Sequence, residues 1–270
     1  MPTNGHQRQH GSQGYVRFPT IFGDRIVFTA EDDLWSVGAA GGRAERLTAG
    51  VAEALQPRFS PDGQRIAFIG RDEGPSEVYV MPAAGGPATR LTYHGLAQAG
   101  SAGWMPDGSA ILYSSAAGNA TLGMRMLRRV APDGGEPTTL PYGIARSIAF
   151  GPHGALVIGR HTTEPAYWKR YRGGTAGFLW IDASGSGEFT RLLDLDANIA
   201  APCWVGERIY FIADHEGTGN VYSCLPTGED LRRHTRQRDY YARNLTTDGQ
   251  RLVYHAGGDL FLLEPNATTA

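Results

Sequence analysis

The 270-residue chain lacks most features that mark secreted or membrane proteins. It contains two cysteines, Cys203 and Cys224, which are too few to cross-link a fold of this size. Both lie in apolar, strand-like sequence, so we expect small buried thiols, although the sequence leaves a disulfide between them open. No apolar run approaches the roughly 18 residues that a membrane-spanning helix requires. We therefore expect no membrane partner.

The net charge of the chain is close to zero, and its N-terminal segment lacks a secretory signal. The chain has 25 basic and 27 acidic side chains, and its formal net charge is −2. A dedicated nucleic-acid-binding protein would show a basic excess, so we expect no nucleic-acid partner. The N-terminal segment Met1–Gly14 is polar and lacks the apolar core of a secretory signal. We interpret this segment as a disordered tail and expect a cytoplasmic protein.

The motifs of metal binding and catalysis are missing as well. The eight histidines are scattered, and no HExxH, HxH or paired CxxC spacing occurs, so we predict no metal site and no cofactor. No Gly-x-Ser-x-Gly sequence follows a strand and opens a helix, as the nucleophile of a serine hydrolase commonly does. We therefore expect no catalytic residues and no enzymatic activity from this chain alone.

Glycine is abundant, and it accompanies an internal repeat. The chain has 37 glycines and 41% hydrophobic residues, a combination that indicates many tight turns around a normal core. Six copies of one unit follow each other, each with a turn such as Ser60-Pro61-Asp62-Gly63 and two apolar strands, and the first five copies end in a short polar strand. The turn residues Asp24 and Asp248 of the first and sixth copies give a period of about 45 residues.

This repeat predicts an all-β fold, a six-bladed β-propeller of four-stranded antiparallel blades. Hydrophobicity falls from the inner to the outer strand of each copy, which a solenoid or a sandwich explains less well. We place the propeller at 15–265, with blades at about 15–48, 53–92, 99–140, 145–193, 198–235 and 240–265. The sixth copy ends in DLFLL and a short tail, 266–270. We predict that the last blade lacks its outer strand and that Ala270 is a truncation.

The alternation of strand direction places the long, irregular loops on one face of the propeller. That face also carries the connections between blades, whereas the opposite face carries short, similar turns. Function on repetitive scaffolds usually lies in long and variable loops. The long loops are Arg71–Ser76, Ser115–Leu122, Arg160–Gly177 and Asp214–Gly219.

Several segments resemble the N-terminal propeller of the tricorn protease family. The similarity covers Tyr15–Pro265 and includes GDRIVFTAEDDLWSV (Gly23–Val37) and, most specifically, WKRYRGG at 168–174. Members of that family are large cytosolic serine peptidases that form homo-oligomers, trim oligopeptides and carry their catalytic residues in a C-terminal region. The resemblance implies a non-catalytic propeller that guides oligopeptides to or from a catalytic chamber and docks them. The implied partners are oligopeptides and other domains and subunits of the oligomer.

One feature of that family is absent from this sequence. The family propeller has two adjacent arginines, assigned to the C-terminal carboxylate of the substrate, in the connection before the first strand of blade three. The corresponding connection of this chain, His94–Gly103, contains no arginine, and the adjacent Arg128 and Arg129 belong to a third strand. We therefore do not transfer this role to any residue.

The expanded loop of blade four supplies the candidate contact residues. Guanidinium groups and aromatic faces could bind the carboxylate or the backbone of a peptide. Alternatively, the aromatic rings pack over blade four while the arginines pair with acids of neighbouring loops or of another domain. The candidate residues are Arg160, Trp168, Lys169, Arg170, Tyr171 and Arg172.

Two pairs of adjacent acidic residues also lie in the predicted loops. Asp32–Asp33 and Asp72–Glu73 lie on the long-loop face, where we expect them to be solvated or to pair with the blade-four arginines.

The main functional alternative is a stand-alone propeller of the TolB type that acts as a protein-interaction scaffold. A third hypothesis is an active site in the central channel of the propeller itself.

Overall fold

The computed structural model describes residues 14–50, 52–72 and 74–265, which form six antiparallel sheets. The predicted all-β, six-bladed propeller is confirmed. The helices among these residues are three short 3₁₀ helices, Gly95–Ala97, Pro152–Gly154 and Pro165–Trp168. No helix in this part of the chain has the length and apolar character to cross a membrane. Apart from Gly14, the predicted disordered tail and the segment 266–270 lie outside the described residues.

Each of the first three blades has four strands, which follow one another from the channel outwards. Blade one contains β1 (Arg17–Phe22), β2 (Arg25–Ala30), β3 (Asp33–Gly38) and β4 (Glu45–Arg46). Blade two contains β5 (Ala54–Phe59), β6 (Arg65–Gly70), β7 (Glu77–Pro82) and β8 (Thr89–Arg90). Blade three contains β9 (Ala99–Trp104), β10 (Ile111–Ser115), β11 (Met126–Val130) and β12 (Thr138–Ile144).

Blades four and five repeat this order, and blade six is shorter. Blade four contains β13 (Ser147–Phe150), β14 (Leu156–Arg160), β15 (Phe178–Asp182) and β16 (Thr190–Arg191). Blade five contains β17 (Ala200–Val205), β18 (Arg208–Ala213), β19 (Asn220–Cys224) and β20 (Arg232–Arg233). Blade six contains β21 (Arg243–Thr247), β22 (Leu252–Ala256) and β23 (Asp259–Leu263). Among the described residues blade six has three strands, as predicted.

The turn between the first and second strand of a blade is formed by residues that favour tight turns. In blade two the amide of Ser60 donates to the carbonyl of Arg65 at 2.9 Å, and the amide of Gly63 donates to the carbonyl of Ser60 at 2.8 Å. Gly63 has a φ of 70°, which a residue without a Cβ adopts at little cost. Asp62 accepts a hydrogen bond from the amide of Gln64 at 3.0 Å. These contacts close a tight turn and set the register of β5 against β6.

The hydrophobic core lies between the blades and not at the centre of the ring. Six clusters of buried apolar side chains each join two neighbouring blades. Between blades two and three, for example, Ile69 of β6 and Val80 of β7 pack with Ala102 of β9 and Tyr113 of β10. Each sheet therefore buries both of its faces against its two neighbours, and the ring is held by six similar interfaces.

Both cysteines belong to this core. Cys203 on β17 and Cys224 on β19 are free and buried, which confirms the expectation of buried thiols. Burial raises the pKa of Cys203 to about 12 and that of Cys224 to about 11. Because the thiolate is the reactive form, both side chains are chemically inert at neutral pH.

The inner strands share a bulge that blade four lacks. In five blades the pairing of the inner strand with its neighbour shifts register near the long-loop face. One residue at each shift has a positive φ: Phe18, Gln56, Ser101, Ala201 and Asn244. In blade four, β13 pairs with β14 without a shift, from Ser147 opposite Gly159 to Phe150 opposite Leu156. The junction before blade four is therefore built differently from the other five.

The ring closes by packing blade six against blade one. Val253 of β22 packs with Ile26 and Phe28 of β2, and the hydroxyl of Thr246 donates to the carbonyl of Pro19 at 2.9 Å. His255 lies at the same junction, where its ring contacts Tyr15 edge to face and its Nε2 is 2.8 Å from Oδ1 of Asn244. Burial is the main cause that lowers the pKa of His255 to about 3, and the nearby Arg243 adds to the shift.

The outer edge of blade six lies beside an apolar groove. β23 pairs with β22 on one side, and no strand of the described residues pairs with its other side. A cavity of about 870 Å³ lies between this edge and blade one, and its walls include Phe28, Trp35 and Leu260. Leu262 of β23 is 39% exposed, in contrast to the buried third strands of blades two and five.

We predict that β23 exchanges its amide hydrogens faster than the matched strand β7, which is covered by β8. Unpaired backbone groups at a sheet edge open and exchange at low energetic cost. Hydrogen exchange measured by mass spectrometry on the 270-residue chain tests this difference. Equal protection of Asp259–Leu263 and Glu77–Pro82 would show that another segment covers the edge.

We predict that acid destabilises the ring through His255. Its pKa in the folded state lies below its usual value of 6.5, so the unfolded state binds the proton first as pH falls. The stability contributed by neutral His255 is thus present above pH 6.5 and is lost between pH 6.5 and about 3, at up to about 1.4 kcal/mol per pH unit. Urea unfolding of His255→Gln should show a shallower loss. The exposed His153→Asn is the control, and an unchanged slope in His255→Gln contradicts the prediction.

Candidate functional site

A channel along the propeller axis forms the centre of the candidate site. It holds a cavity of about 460 Å³ to which the inner strands of all six blades contribute. Aromatic side chains, among them Phe59, Trp104 and Trp204, line its end near the short turns. Small and amide side chains, among them Gln56, Ser101 and Asn244, line its end near the long loops. The walls therefore combine apolar surfaces with hydrogen-bonding groups.

Arg58 is the one positively charged side chain among the described residues that line this cavity. Its Nη1 donates to the carbonyl of Pro57 at 2.7 Å, and no acidic side chain in the described part of the chain pairs with it. Burial lowers the pKa of Arg58 to about 10, and Cys203 of blade five acts weakly in the opposite direction. The guanidinium is still charged at neutral pH. Sequence analysis missed this residue, although a charged side chain within an inner strand was a usable signal.

The loop between β14 and β15, residues 160–177, extends over the channel mouth; we call it the blade-four loop. Thr163 in this loop lines the central cavity. Glu164 is 4% exposed, and its Oε1 accepts a hydrogen bond from the amide of Ala166 at 3.1 Å, which caps the 3₁₀ helix. Its Oε2 accepts from Nε of Arg243 on β21 at 2.9 Å. The loop therefore reaches from blade four to blade six.

Glu164 and Arg243 form a largely buried ion pair. Burial raises the pKa of Glu164, and the adjacent Arg243 offsets part of this shift. Nη1 of Arg243 also lies 3.3 Å from the hydroxyl of Tyr15, and its guanidinium is 5.5 Å from the ring centroid of Tyr167. One arginine thus joins the blade-four loop to the closure between blades six and one.

Asp214, at the start of the long loop of blade five, holds the middle of the blade-four loop. Its side chain is fully buried, and it accepts hydrogen bonds from the amide of Arg170 at 2.8 Å and from Nη1 of Arg172 at 2.9 Å. The amide of Asn198 donates to it as well, at 2.8 Å. Arg172 makes a second ion pair with Asp196 at 3.0 Å. The expected pairing of arginines with acids of neighbouring loops is therefore present for Arg172.

The end of the blade-four loop requires glycine. The amide of Gly177 donates to Oδ1 of Asn198 at 2.8 Å, and its carbonyl accepts from the amide of Ile199 at 3.0 Å. A Cβ added at Gly177 would lie 2.1 Å from the carbonyl oxygen of Ile199. Only glycine permits this close approach of two backbones, which fixes where the loop joins β15.

The structure brings five of the six candidate residues together. Trp168 is 63% exposed, and its ring contacts Tyr171 edge to face at 5.2 Å. Nζ of Lys169 lies 5.5 Å from the ring centroid of Tyr241. Arg170 contributes its amide to Asp214, while the residue itself is exposed. The exposed surface of the loop includes Trp168, Lys169 and Arg170, together with the 72% exposed Tyr167, which sequence analysis did not select.

Arg160, the sixth candidate residue, lies apart from the others. Its guanidinium is 4.7 Å from the ring centroid of Trp180 on β15. Burial and, after it, the charge of Arg160 lower the pKa of the adjacent His161. Arg160 therefore belongs to the side of blade four that faces blade three. The loop residues beyond Glu164 face blades five and six instead.

In the described part of the chain, Asp32 and Asp33 pair with arginines of blade one and not with those of the blade-four loop. Asp32 pairs with Arg17 at 2.9 Å, and Asp33 pairs with Arg46 of the same blade. Glu73 lies outside the described residues. Among the residues that the structure describes, no three His, Cys, Asp or Glu side chains lie close enough together to hold a metal ion.

Comparisons with known proteins agree with this architecture. Residues 13–269 match the family model described as the tricorn protease N-terminal beta propeller domain. Tricorn protease homolog 1 of Streptomyces coelicolor is 48% identical over 95% of this chain and 24% of its own length. Tricorn protease of Thermoplasma acidophilum is 38% identical over 92% of this chain and 24% of its own length.

A solved structure shows the same relationship in three dimensions. The crystal structure of the tricorn protease superposes with a TM-score of 0.85 at 36% identity, over 94% of this chain and 25% of that chain. The chain thus spans about a quarter of the length of the relatives that it matches.

We predict that Arg172 stabilises the fold whereas Lys169 does not. Arg172→Ala leaves the buried carboxylate of Asp214 without its cation, which should cost about 2 kcal/mol because Arg172 is itself partly exposed. Lys169→Ala removes an exposed charge and should change the free energy of unfolding by less than about 0.5 kcal/mol. Urea denaturation measures both. Equal stability of the two variants would contradict the role assigned to Asp214.

Proposed function

Since the chain belongs to the tricorn protease family through the N-terminal propeller domain of that family, we propose that it is a non-catalytic module that guides and docks oligopeptides. In this role it directs peptides to or from a catalytic chamber formed by regions outside this chain. The proposed partners are oligopeptides and other domains and subunits of a tricorn-type homo-oligomer.

The channel is the observation that carries this proposal. Its wall holds hydroxyl and amide groups near the long loops and aromatic rings near the short turns. Such a wall can exchange hydrogen bonds with successive peptide groups and accommodate varied side chains, without a pocket that selects one side chain. Arg58 adds a single cation inside the channel, which attracts the carboxylate end of a peptide.

The blade-four loop supplies the docking surface in this proposal. Trp168, Lys169 and Arg170 contact a peptide or a neighbouring domain, because they are exposed at the channel mouth on a loop that Glu164 and Asp214 hold in place. Tyr171 packs against Trp168, and Arg172 ties the loop to Asp214. We place this function in the cytoplasm, where free thiols such as Cys203 and Cys224 stay reduced.

We predict that the docking surface contributes to peptide affinity. The triple variant Trp168→Ala, Lys169→Ala, Arg170→Asn should bind dansyl-labelled oligopeptides of about eight residues at least fivefold more weakly than the wild type, since it removes one aromatic and two cationic contacts. Asparagine is chosen because Arg170 has a φ of 57°, which asparagine tolerates. Fluorescence anisotropy on the 270-residue chain measures the affinity.

The control removes two exposed charges far from the channel mouth, Arg43→Ala and Arg129→Ala, and should leave the affinity unchanged. A wild-type chain that binds no peptide would overturn the proposal and favour the stand-alone interaction propeller. Turnover of chromogenic peptides by the isolated chain would instead favour an active site in the channel.

A further inference from the structure

The outer strands of three blades continue into a common sequence motif. The motif is arginine, leucine and threonine in blades one and two, and histidine replaces the leucine in blade five. The three copies are Arg46-Leu47-Thr48, Arg90-Leu91-Thr92 and Arg233-His234-Thr235. In each copy the arginine lies opposite the aromatic third residue of the neighbouring strand, which is Trp35, Tyr79 or Tyr222. The motif therefore meets the third strand of its blade in one fixed register.

In blade one the motif is bound by the first two residues of β3. The amide of Leu47 donates to the carbonyl of Leu34 at 2.8 Å. The amide of Leu34 donates to the hydroxyl of Thr48 at 2.9 Å, and that hydroxyl donates to Oδ1 of Asp33 at 2.7 Å. Arg46 forms an ion pair with the same carboxylate. The acid that begins β3 thus binds both the threonine and the arginine of the motif.

Blade two repeats these contacts. The amide of Leu91 donates to the carbonyl of Val78 at 2.8 Å, and the hydroxyl of Thr92 donates to Oε2 of Glu77 at 2.6 Å. Nη2 of Arg90 lies 3.5 Å from Oε1 of the same acid. In both blades the motif is therefore held by one acid and by the backbone of the third strand.

The threonine of the motif occurs together with a polar residue at the start of the third strand. In blade five the hydroxyl of Thr235 donates to Oδ1 of Asn220 at 2.8 Å. The third strand of blade four begins with Phe178 instead, and there Leu193 stands in the place of the threonine. The first residue of the third strand therefore indicates which outer strand a blade binds.

The third strand of blade six, β23, begins with the acid that receives the motif. Asp259 lies opposite Ala256 of β22, as Asp33 lies opposite Ala30 of β2 in blade one, so the two acids are equivalent. Asp33 is 5% exposed, whereas Asp259 is exposed and has no hydrogen-bond or ion-pair partner among the described residues. In the described part of the chain, blade six thus has the acid without the arginine and threonine that bind it in blade one.

The apolar groove beside β23 lies where the leucine of the motif packs in other blades. Leu47 and Leu91 each pack into the gap between their own blade and the next one. For blade six the corresponding gap faces blade one, and it holds the groove of about 870 Å³. The described residues that line this groove include two acids, Glu31 and Asp259, and no basic side chain. The groove therefore suits a leucine side chain beside an arginine.

We propose that β23 and this groove form a docking site for an extended polypeptide partner that contains the sequence Arg-Leu-Thr. The partner adds to blade six as a fourth, antiparallel strand, with its arginine opposite Phe261 and its leucine in the groove. Its threonine hydroxyl binds between the amide of Leu260 and the carboxylate of Asp259. Strands added in this way gain affinity from main-chain hydrogen bonds and specificity from side-chain pockets. The terminal segments 1–13 and 266–270 contain no leucine, so neither matches the site.

The test uses a fluorescein-labelled peptide, Gly-Pro-Ala-Thr-Arg-Leu-Thr, which has the sequence of residues 86–92. One comparison peptide has the last four residues in another order, and a second is methylated on the leucine amide nitrogen. We expect the 270-residue chain to bind the probe about tenfold or more tightly than either, because the first loses the side-chain match and the second loses a main-chain donor. Fluorescence anisotropy measures the affinities. Hydrogen exchange should show that the probe protects Asp259–Leu263 and leaves Glu77–Pro82 unchanged.

Two variants locate the site on the protein. Asp259→Ala should weaken binding of the probe about fivefold, since it removes the acceptor of the threonine and the arginine. Ala44→Phe fills the groove that Ala44 lines and should weaken binding about tenfold or more. Neither residue lines the channel, and neither variant should lower the thermal midpoint. Asp72→Ala, which removes an exposed acid of blade two, is the control and should bind the probe as the wild type does.

Each failure has a distinct reading. Equal affinity for the probe and the reordered peptide overturns the assignment of Arg-Leu-Thr. Binding that survives in both variants places the peptide elsewhere, overturns this site and leaves the proposed function standing. Protection of β23 before any peptide is added also overturns the proposal: sedimentation as a dimer then makes a second copy the occupant, and sedimentation as a monomer makes it a segment of the same chain.

Discussion

Packing between neighbouring blades is the interaction on which the structure depends. A twisted antiparallel sheet has two faces, and no blade of this chain can bury both by itself. Each gap between blades holds a cluster of buried apolar side chains, and burial at about 25 cal/mol per Å² supplies the main stabilisation. Because the side chains point into these gaps, the axis is left free for a channel. The same packing that stabilises the ring therefore creates the space in which peptides are proposed to move.

Blade four departs from the repeat in ways that all concern this channel. Its inner strand lacks the bulge of the other five, and its long loop crosses blade five to bind Arg243 of blade six. A loop with two buried anchors, Glu164 and Asp214, forms a defined surface and not a loose flap. Blade six departs from the repeat only at its outer edge, so the inner strands of the other blades keep the regular packing that the fold requires.

The fold could be predicted from the sequence because each copy of the repeat contains the same turns and the same pattern of apolar strands. Turns such as Ser60-Pro61-Asp62-Gly63 and alternating apolar strands predicted the number of blades, the order of the strands and the three strands of the last blade. Only part of the candidate site could be predicted from the sequence. The pattern in the blade-four loop identified Trp168 and Lys169. It could not show that Arg172 forms an ion pair with Asp214, 42 residues away. Arg58 and Tyr167 were missed because their positions, in the channel wall and on the exposed surface of the loop, depend on the spatial arrangement of the blades.

The way the ring closes has a consequence for how the chain folds. Most strand pairs join segments that are close in sequence, so individual blades can form early and locally. The closing contacts instead join residues far apart: the hydrogen bond from Thr246 to Pro19 spans 227 positions, and that from Arg243 to Tyr15 spans 228. The entropy of bringing such distant segments together must be overcome before their packing is gained, and contacts of high sequence separation slow folding. We therefore expect closure to be the late and slow step. Before closure, the faces of blades one and six that pack together in the closed ring would be exposed, and exposed apolar faces promote aggregation.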